Sequence, residues 1–278
     1  MKIRLASGTD PGLQRQENED SVLVWKDKAG VEALVVVCDG MGGHAAGRLA
    51  SSIAVDTFSS ALAEDGGKGA DPERLKQATI RTNTAVHLAS LENPEWAGMG
   101  STLTVVAIQG ERMALVNVGD SPAYLFRDGD WALISQDHSW PAEQVRLGVI
   151  KPADAKDHPM KHRLTRAIGV WEQIASFTDV IELESGDTVV LCSDGVETAG
   201  VSVEEMWGML EGKDLEGGIR RVIARCRDLG APDNVTVAVA RVEGADRGDR
   251  MRLDRISRTQ LLSIKTVTMP KLKAPDED

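Results

Sequence analysis

Short apolar runs bounded by turn residues recur along the chain and predict β-strands. Each run is rich in β-branched residues, and Gly, Pro, Asp or Asn stands at its ends. After an opening strand, the predicted strands lie at 21–25, 34–37, 101–108, 112–118, 123–127, 131–134, 174–183, 187–193 and 234–242. The Asp128-Gly129-Asp130 segment between two of these runs predicts a hairpin turn.

Between some of the predicted strands, apolar residues recur at the spacing of a helix. The segment 46–63 and a second segment beginning near Pro72 predict two long consecutive helices. Two shorter helices are predicted at 203–210 and 215–228, and a polar insertion with prolines occupies 139–159. Two consecutive helices between strands do not fit a doubly wound parallel sheet. The pattern therefore predicts an α+β sandwich with helices outside antiparallel sheets.

Four aspartates stand at the edges of four separate apolar runs: Asp39, Asp120, Asp194 and Asp233. A carboxylate at a strand end is costly to bury unless it is paired or binds a cation. The Asn18-Glu19-Asp20 turn adds two more acids. Ligands that are all oxygen favour Mg²⁺ or Mn²⁺ over zinc or copper. The pattern therefore predicts a metal-carboxylate hydrolase.

Composition narrows the class of protein. The 278 residues carry a formal charge of −11, which disfavours a nucleic-acid-binding role. No apolar stretch is long enough to span a bilayer, and the first residues contain no secretory h-region. Cys38, Cys192 and Cys226 are odd in number and predict reduced core residues, in keeping with a cytoplasmic protein. The glycine-rich turn at 39–44 lacks the spacing of a nucleotide-binding loop.

Seven motifs together resemble the metal-dependent Ser/Thr protein phosphatases, the type 2C or PPM family, in its bacterial form. They are DPGLQRQENED at 10–20, VCDGMGGH at 37–44, GSTL at 100–103, VGDS at 118–121, LTRAIG at 164–169, CSDG at 192–195 and PDNVT at 232–236. The resemblance covers residues 3–243 and implies a four-layer αββα sandwich of two antiparallel sheets flanked by helices. We therefore expect a phosphatase domain at 1–243 and a separate basic tail at 244–278.

The resemblance also implies a metal centre for two ions, Mn²⁺ or Mg²⁺. Asp39 is expected to bridge the two ions, and the Gly40 carbonyl to complete the second. Asp194 and Asp233 are expected to complete the first. Asp120 matches an acid that helps to hold a weaker third metal in bacterial members. A water molecule bridging two such ions has a lowered pKa and is directed at phosphorus.

The remaining candidates lie around this centre. Glu19 and Asp20 are expected to act through metal-bound water. Arg15 matches an arginine that binds the substrate phosphate, and we expect it to contact phosphate but not metal. His44 is a candidate proton donor to the leaving alkoxide. In the eukaryotic motif, however, the histidine directly follows Asp-Gly, where Met41 stands here.

These roles predict an enzyme that hydrolyses phosphoserine and phosphothreonine in proteins and opposes a bacterial Ser/Thr kinase. The expected protein is a cytoplasmic monomer that binds neither nucleic acid nor membrane. The alternative is a non-catalytic phosphoprotein-binding module on the same fold. The complete set of metal acids favours the enzyme.

Overall fold

The computed structural model describes residues 1–43, 45–155 and 157–243, and every structural statement below refers to these residues. Their strands are β1 (Lys2–Asp10), β2 (Asp20–Lys28), β3 (Val31–Met41), β4 (Gly100–Ser101), β5 (Leu103–Gln109), β6 (Arg112–Val118), β7 (Ala123–Arg127), β8 (Asp130–Leu133), β9 (Phe177–Glu182), β10 (Thr188–Cys192) and β11 (Val235–Glu243). Their helices are α1 (Ala45–Glu64), α2 (Pro72–Glu92), α3 (Trp140–Arg146), α4 (Pro152–Ala155), α5 (Gly195–Thr198), α6 (Val203–Leu210) and α7 (Leu215–Asp228), with a 3-10 turn at Pro94–Trp96.

The strands form two antiparallel sheets. The first sheet has the order β1-β11-β10-β7-β8, and the second has the order β2-β3-β5-β6-β9 with β4 paired to β3. At the β7–β8 turn, Asp128 and Gly129 both have positive φ, 54° and 86°. That backbone twist suits a tight two-residue hairpin, so the predicted turn is confirmed.

Three apolar layers hold the sheets and helices together. One lies between the second sheet and the α1–α2 pair and contains Phe58 and Leu103. A second lies between the two sheets and contains Leu115 and Leu191. The third lies between the first sheet and α5–α7. Three buried layers separate four structural layers, so the predicted αββα sandwich is confirmed.

One predicted strand is broken in the structure, and one short helix was not predicted. The strand expected at 101–108 is broken at Thr102, where β4 ends and β5 has not begun. Thr102 instead bonds to Asp39, through its backbone N–H to the Asp39 carbonyl (2.8 Å) and through its hydroxyl to the Asp39 N–H (2.8 Å). The short helix α5 was not predicted. The insertion expected at 139–159 contains α3 and α4, with Lys156 outside the described residues.

The three cysteines are free thiols buried in the core, as expected. None of the helices that the structure describes is both long and apolar enough to cross a membrane. The tail expected at 244–278 lies outside the described residues, so the domain boundary stays a prediction.

Candidate active site

All the predicted acidic residues lie at one end of the sandwich, where both sheets present the same edge. Asp20 is the first residue of β2 and stands directly opposite Asp39 of β3 in the strand register. Asp194 follows the end of β10, and Asp233 precedes the start of β11, its antiparallel partner. Asp120 follows the end of β6. The antiparallel topology therefore brings together acids that are far apart in sequence.

Buried hydroxyl groups orient Asp20. Its Oδ2 accepts hydrogen bonds from the Ser193 hydroxyl (2.8 Å) and the Thr236 hydroxyl (2.6 Å), both on the first sheet. The Thr236 hydroxyl also shares a hydrogen bond with Thr9 (2.7 Å). The other oxygen of Asp20, Oδ1, is buried and accepts no hydrogen bond from the part of the chain that the structure describes. A buried carboxylate oxygen without a donor is suited to a cation or to a water bound by one.

A second hydroxyl pair fixes the backbone at Asp39. The Thr102 hydroxyl accepts the Asp39 N–H and shares a 2.7 Å hydrogen bond with the buried Ser121 hydroxyl. Ser121 directly follows Asp120, so this pair connects the Asp39 strand to the Asp120 turn. The Ser101 hydroxyl also donates to the Asp39 carbonyl, at 3.1 Å.

Two glycines at the site allow neighbouring backbone segments to pack closely against each other. A Cβ at Gly195 would lie 1.8 Å from the Asn234 carbonyl oxygen, and one at Gly40 would lie 2.0 Å from the Gly47 carbonyl oxygen. Both contacts are to backbone, so no side chain could move aside. These positions explain why glycine directly follows Asp39 and Asp194.

The Gly40 carbonyl and the Glu19 side chain approach one another beside α1. A Cβ built on Gly47 would lie 2.7 Å from Glu19 Oε1 and 3.0 Å from the Gly40 oxygen. The Glu19 carbonyl accepts the Gly40 N–H at 3.1 Å. This packing places a carboxylate and a carbonyl oxygen together.

Asn234 ties the N-terminal turn to the start of β11. Its side-chain amide donates to the Pro11 and Glu17 carbonyls, both at 2.9 Å, and its Oδ1 accepts the Glu19 N–H at 2.8 Å. These three bonds span more than 200 residues of sequence and hold the turn that carries Arg15.

Arg15 faces the acids directly. Its Nη2 donates to Asp233 Oδ2 at 2.8 Å, while Asp233 Oδ1 accepts the Asn234 N–H at 2.8 Å. The Arg15 pKa is raised above its usual value, against the effect of burial, because Asp233, Glu19 and Asp39 surround the guanidinium. The sequence did not predict this ion pair between Arg15 and an expected metal ligand.

The acid cluster strongly disfavours full ionisation. Burial, followed by the charges of Asp20 and Asp194, raises the pKa of Asp39 well above its usual range. Burial raises the pKa of Asp20 to about 7 although Thr236 and Ser193 donate to it, and burial with the charge of Asp194 raises that of Asp120 to about 8. The pKa of Asp194 is also raised by burial and by Asp233. Such a group needs either protons or cations to neutralise it.

The residues present fit divalent metal ions. Within the described ranges, no group of three Asp, Glu, His or Cys side chains already converges on a single point as metal ligands do. Arg15 instead pairs with Asp233, and the hydroxyl groups of Ser193 and Thr236 donate to Asp20. The donor set is nonetheless oxygen only, and it includes an Asp20 oxygen that is buried and has no hydrogen-bond donor among the residues that the structure describes. Hard cations such as Mg²⁺ and Mn²⁺ prefer these donors.

The structure brings together Arg15 and the acidic candidates Glu19, Asp20, Asp39, Asp120, Asp194 and Asp233, together with Gly40. Sequence reasoning assigned no role to the hydroxyl groups of Thr102, Ser121, Ser193 and Thr236. Each lies within a quoted motif, and a hydroxyl residue at a buried strand end beside an acid is the signal that could have found it. His44 lies outside the described residues, and its role as proton donor stays a prediction.

His138 connects the Asp120 turn to the inserted segment. Its Nδ1 accepts the Gly119 N–H at 3.1 Å, its Nε2 lies 3.2 Å from Arg166 Nη1, and its backbone N–H donates to the Gly119 carbonyl. Burial lowers its pKa to about 3. The ring is therefore neutral, and its Nδ1 accepts a backbone N–H of the turn that carries Asp120.

Comparison with known proteins points in the same direction. The family model described as protein phosphatase 2C matches residues 12–228. The serine/threonine protein phosphatase PstP of Mycobacterium tuberculosis is 37% identical over 247 residues, which are 88% of this chain and 46% of PstP. This chain thus spans about half the length of that relative. The serine/threonine phosphatase stp of Listeria monocytogenes is 35% identical over 244 residues, 86% of this chain and 96% of stp.

A solved structure has the same fold. The catalytic domain of a serine/threonine protein phosphatase PstP, in complex with two manganese ions, is 34% identical with a TM-score of 0.75. The match covers 87% of this chain and 99% of that one.

Proposed function

The chain belongs to the protein phosphatase 2C family, and we propose that it hydrolyses phosphoserine and phosphothreonine in proteins with the help of divalent metal ions. The observation that carries the proposal is the cluster of carboxylates that strands of both sheets bring to one end of the sandwich. The two manganese ions in the related PstP structure support the same cofactor here.

The metal-binding residues in this proposal are Asp39, Gly40, Asp194, Asp233, Asp120, Glu19 and Asp20. Divalent ions at such a site supply an activated water and neutralise charge on the phosphoryl oxygens. The chain's own contribution is to hold the carboxylates in place. Ser193 and Thr236 orient Asp20, and Thr102 orients the Asp39 backbone.

Arg15 binds the substrate phosphate in this proposal. Its side chain is 49% exposed and lies at the edge of the acid cluster, where a phosphate group can reach it. A guanidinium offers paired N–H donors that match phosphate geometry, and it also compensates the charge that Asp233 carries. His44 is proposed to protonate the leaving alkoxide.

The names of the relatives bear on the class of substrate. The homologues named as serine/threonine phosphatases support phosphoproteins as substrates. We propose that the protein acts as a cytoplasmic monomer and opposes a Ser/Thr kinase, without binding nucleic acid or membrane.

The alternative function, a module that binds phosphoproteins without hydrolysing them, requires the same fold but no metal chemistry. Hydrolysis of p-nitrophenyl phosphate separates the two. The protein is stripped with EDTA, and Mn²⁺, Mg²⁺ or Ca²⁺ is added back. The proposal predicts no hydrolysis after stripping and recovery with Mn²⁺ or Mg²⁺. A protein that binds a phosphothreonine peptide but releases no phosphate with any of these metals would be the binding module.

A further inference from the structure

A groove of about 910 Å³ lies at the opposite end of the first sheet from the acid cluster. Its lining includes Asp128 and Asp130 of the β7–β8 hairpin, Thr188 of β10, Trp207 and Glu211 of the α6 region, and Arg241 of β11. Thr188 to Cys192 along β10 spans about 13 Å, and Asp194 lies beyond the far end of that strand. The groove is therefore separate from the proposed active site.

Aromatic stacking builds the wall of the groove. The Trp207 ring stacks on the buried Phe126 ring, with centroids 4.5 Å apart and an angle of 9° between the planes. The Arg241 guanidinium lies 6.0 Å from the Trp207 centroid. Its nitrogens donate to the Leu210 and Gly212 carbonyls and to the Thr188 hydroxyl. Arg241 is thus a fixed part of the wall, held by oxygens of the protein.

The rim of the groove is acidic. Asp128, Asp130 and Glu211 are exposed and line the groove, so its lining carries three negative charges against the one positive charge of Arg241. Exposed carboxylates suit the guanidinium of arginine, which pairs with them through its fork of N–H donors.

The same chain supplies such a ligand at the groove's edge. Beside the groove, the Val242 carbonyl accepts a hydrogen bond from the Gly186 N–H (3.0 Å), and the Val242 N–H donates to the Asp187 carbonyl (2.9 Å). Strand β11 ends at the next residue, Glu243. The 35 residues that follow begin with an arginine-rich stretch containing Arg247, Arg250, Arg252, Arg255 and Arg258. Between 246 and 273 there are eight Lys or Arg against three Asp, whereas residues 1–243 carry a net charge of −13.

Tethering favours binding within the chain. Arg247 is four residues beyond Glu243, so an extended chain places it within about 14 Å of the strand end. A short connection between a ligand and its site gives an effective concentration of about a millimolar or more, so even weak contacts are occupied.

We propose that the groove is a docking site for the arginine-rich segment 247–258 of the same chain. Docking anchors the tail at the end of the molecule away from the acid cluster. It therefore leaves the metal site open. This inference concerns a different surface and does not rest on the proposed phosphatase function.

Hydrogen exchange of the full chain, followed by mass spectrometry at low ionic strength, tests the proposal without measuring activity. The groove variant carries Asp130→Asn and Glu211→Gln, which keep side-chain shape and remove two charges from exposed positions. The matched control carries Glu92→Gln and Glu95→Gln, which remove two exposed charges beside α2. Intact mass confirms the two substitutions in each variant, and circular dichroism establishes that both variants are folded.

The proposal predicts that amides of 247–258 exchange about tenfold more slowly in wild type and control than in the groove variant, as expected for roughly 1.4 kcal/mol of docking. Added salt at about 0.5 M should abolish the difference because it screens exposed charges. Equal exchange in wild type and groove variant would overturn the proposal. So would protection that grows with protein concentration, because it would place the segment in the groove of a second copy.

Discussion

Replacing Arg15 should change metal binding and substrate use in opposite directions. In the structure, Arg15 Nη2 donates to Asp233 Oδ2 at 2.8 Å. Asp233 is also an expected metal ligand, so metal binding must share or displace this contact. Arg15→Gln removes the charge and retains a polar side chain. It therefore frees Asp233 for the metal and removes the proposed phosphate contact.

The expected change in Mn²⁺ affinity can be worked out from the solvent exposure of the Arg15–Asp233 ion pair. The side chains of Arg15 and Asp233 are 49% and 28% exposed, so solvent screens the pair and it contributes only about 0.2–1 kcal/mol. Loss of that competition should lower the Kd for Mn²⁺ by up to about fivefold. Charge-assisted hydrogen bonds to phosphate are worth more, about 1.5–3 kcal/mol, so kcat/KM for a phosphopeptide should fall at least about tenfold.

Isothermal titration calorimetry with Mn²⁺ on EDTA-stripped protein measures the first effect, and phosphate release from a phosphothreonine peptide measures the second. Arg48→Gln is the matched control. Arg48 is exposed and forms an ion pair of 3.2 Å with Glu17, which lies in the same turn as Arg15. An unchanged or raised Kd in Arg15→Gln would show that the ion pair does not compete with metal. An unchanged kcat/KM would remove Arg15 from substrate binding.

Three further predictions test the supporting structure. Thr236→Val removes a hydroxyl donor to Asp20 and should weaken Mn²⁺ binding, measured by calorimetry, about tenfold. Thr236→Ser keeps the hydroxyl and should bind Mn²⁺ with normal affinity. Equal Mn²⁺ affinities of the two variants would contradict this positioning role. The pKa of His138 is lowered by burial to about 3, so below about pH 6.5 protons bind this residue more strongly in the unfolded chain than in the folded one, and the stability that its neutral ring contributes should be lost by up to about 1.4 kcal/mol per pH unit. Urea unfolding at pH 7, 6 and 5 should show that the stability difference between wild type and His138→Asn shrinks as the pH falls, and a constant difference would contradict the assignment. A chain ending at Gly244 should remain folded and hydrolyse p-nitrophenyl phosphate at a near-normal rate; an insoluble or inactive product would show that the tail belongs to the core.

Regular elements were largely predictable because their signals are local. The bounds predicted for 112–118, 123–127, 203–210 and 215–228 coincide with those of β6, β7, α6 and α7. The predicted strand at 101–108 was wrong at Thr102, because a hydrogen bond to Asp39, 63 residues away, overrides the local β pattern. The four-residue helix α5 is too short for periodicity to reveal.

The candidate site also has residues that the sequence identifies and contacts that it does not. Asp39, Asp120, Asp194 and Asp233 could be identified from sequence because each interrupts or borders an apolar run. The ion pair of Arg15 with Asp233 joins residues 218 positions apart, and the bond from Thr236 to Asp20 joins residues 216 apart. Such contacts depend on how two sheets are stacked, and no pattern within a single segment carries that information.

The proposed function requires that the acid cluster holds divalent ions, which make phosphoester hydrolysis possible. The most direct test compares wild type with Asp39→Asn, a change that keeps side-chain shape and removes one anionic ligand. Phosphate release from a phosphothreonine peptide is measured across a Mn²⁺ titration, with circular dichroism as the check on folding. We expect metal-dependent hydrolysis by wild type and a loss of more than about a hundredfold in the folded variant at saturating Mn²⁺. Hydrolysis by Asp39→Asn within about tenfold of wild type would contradict this expectation.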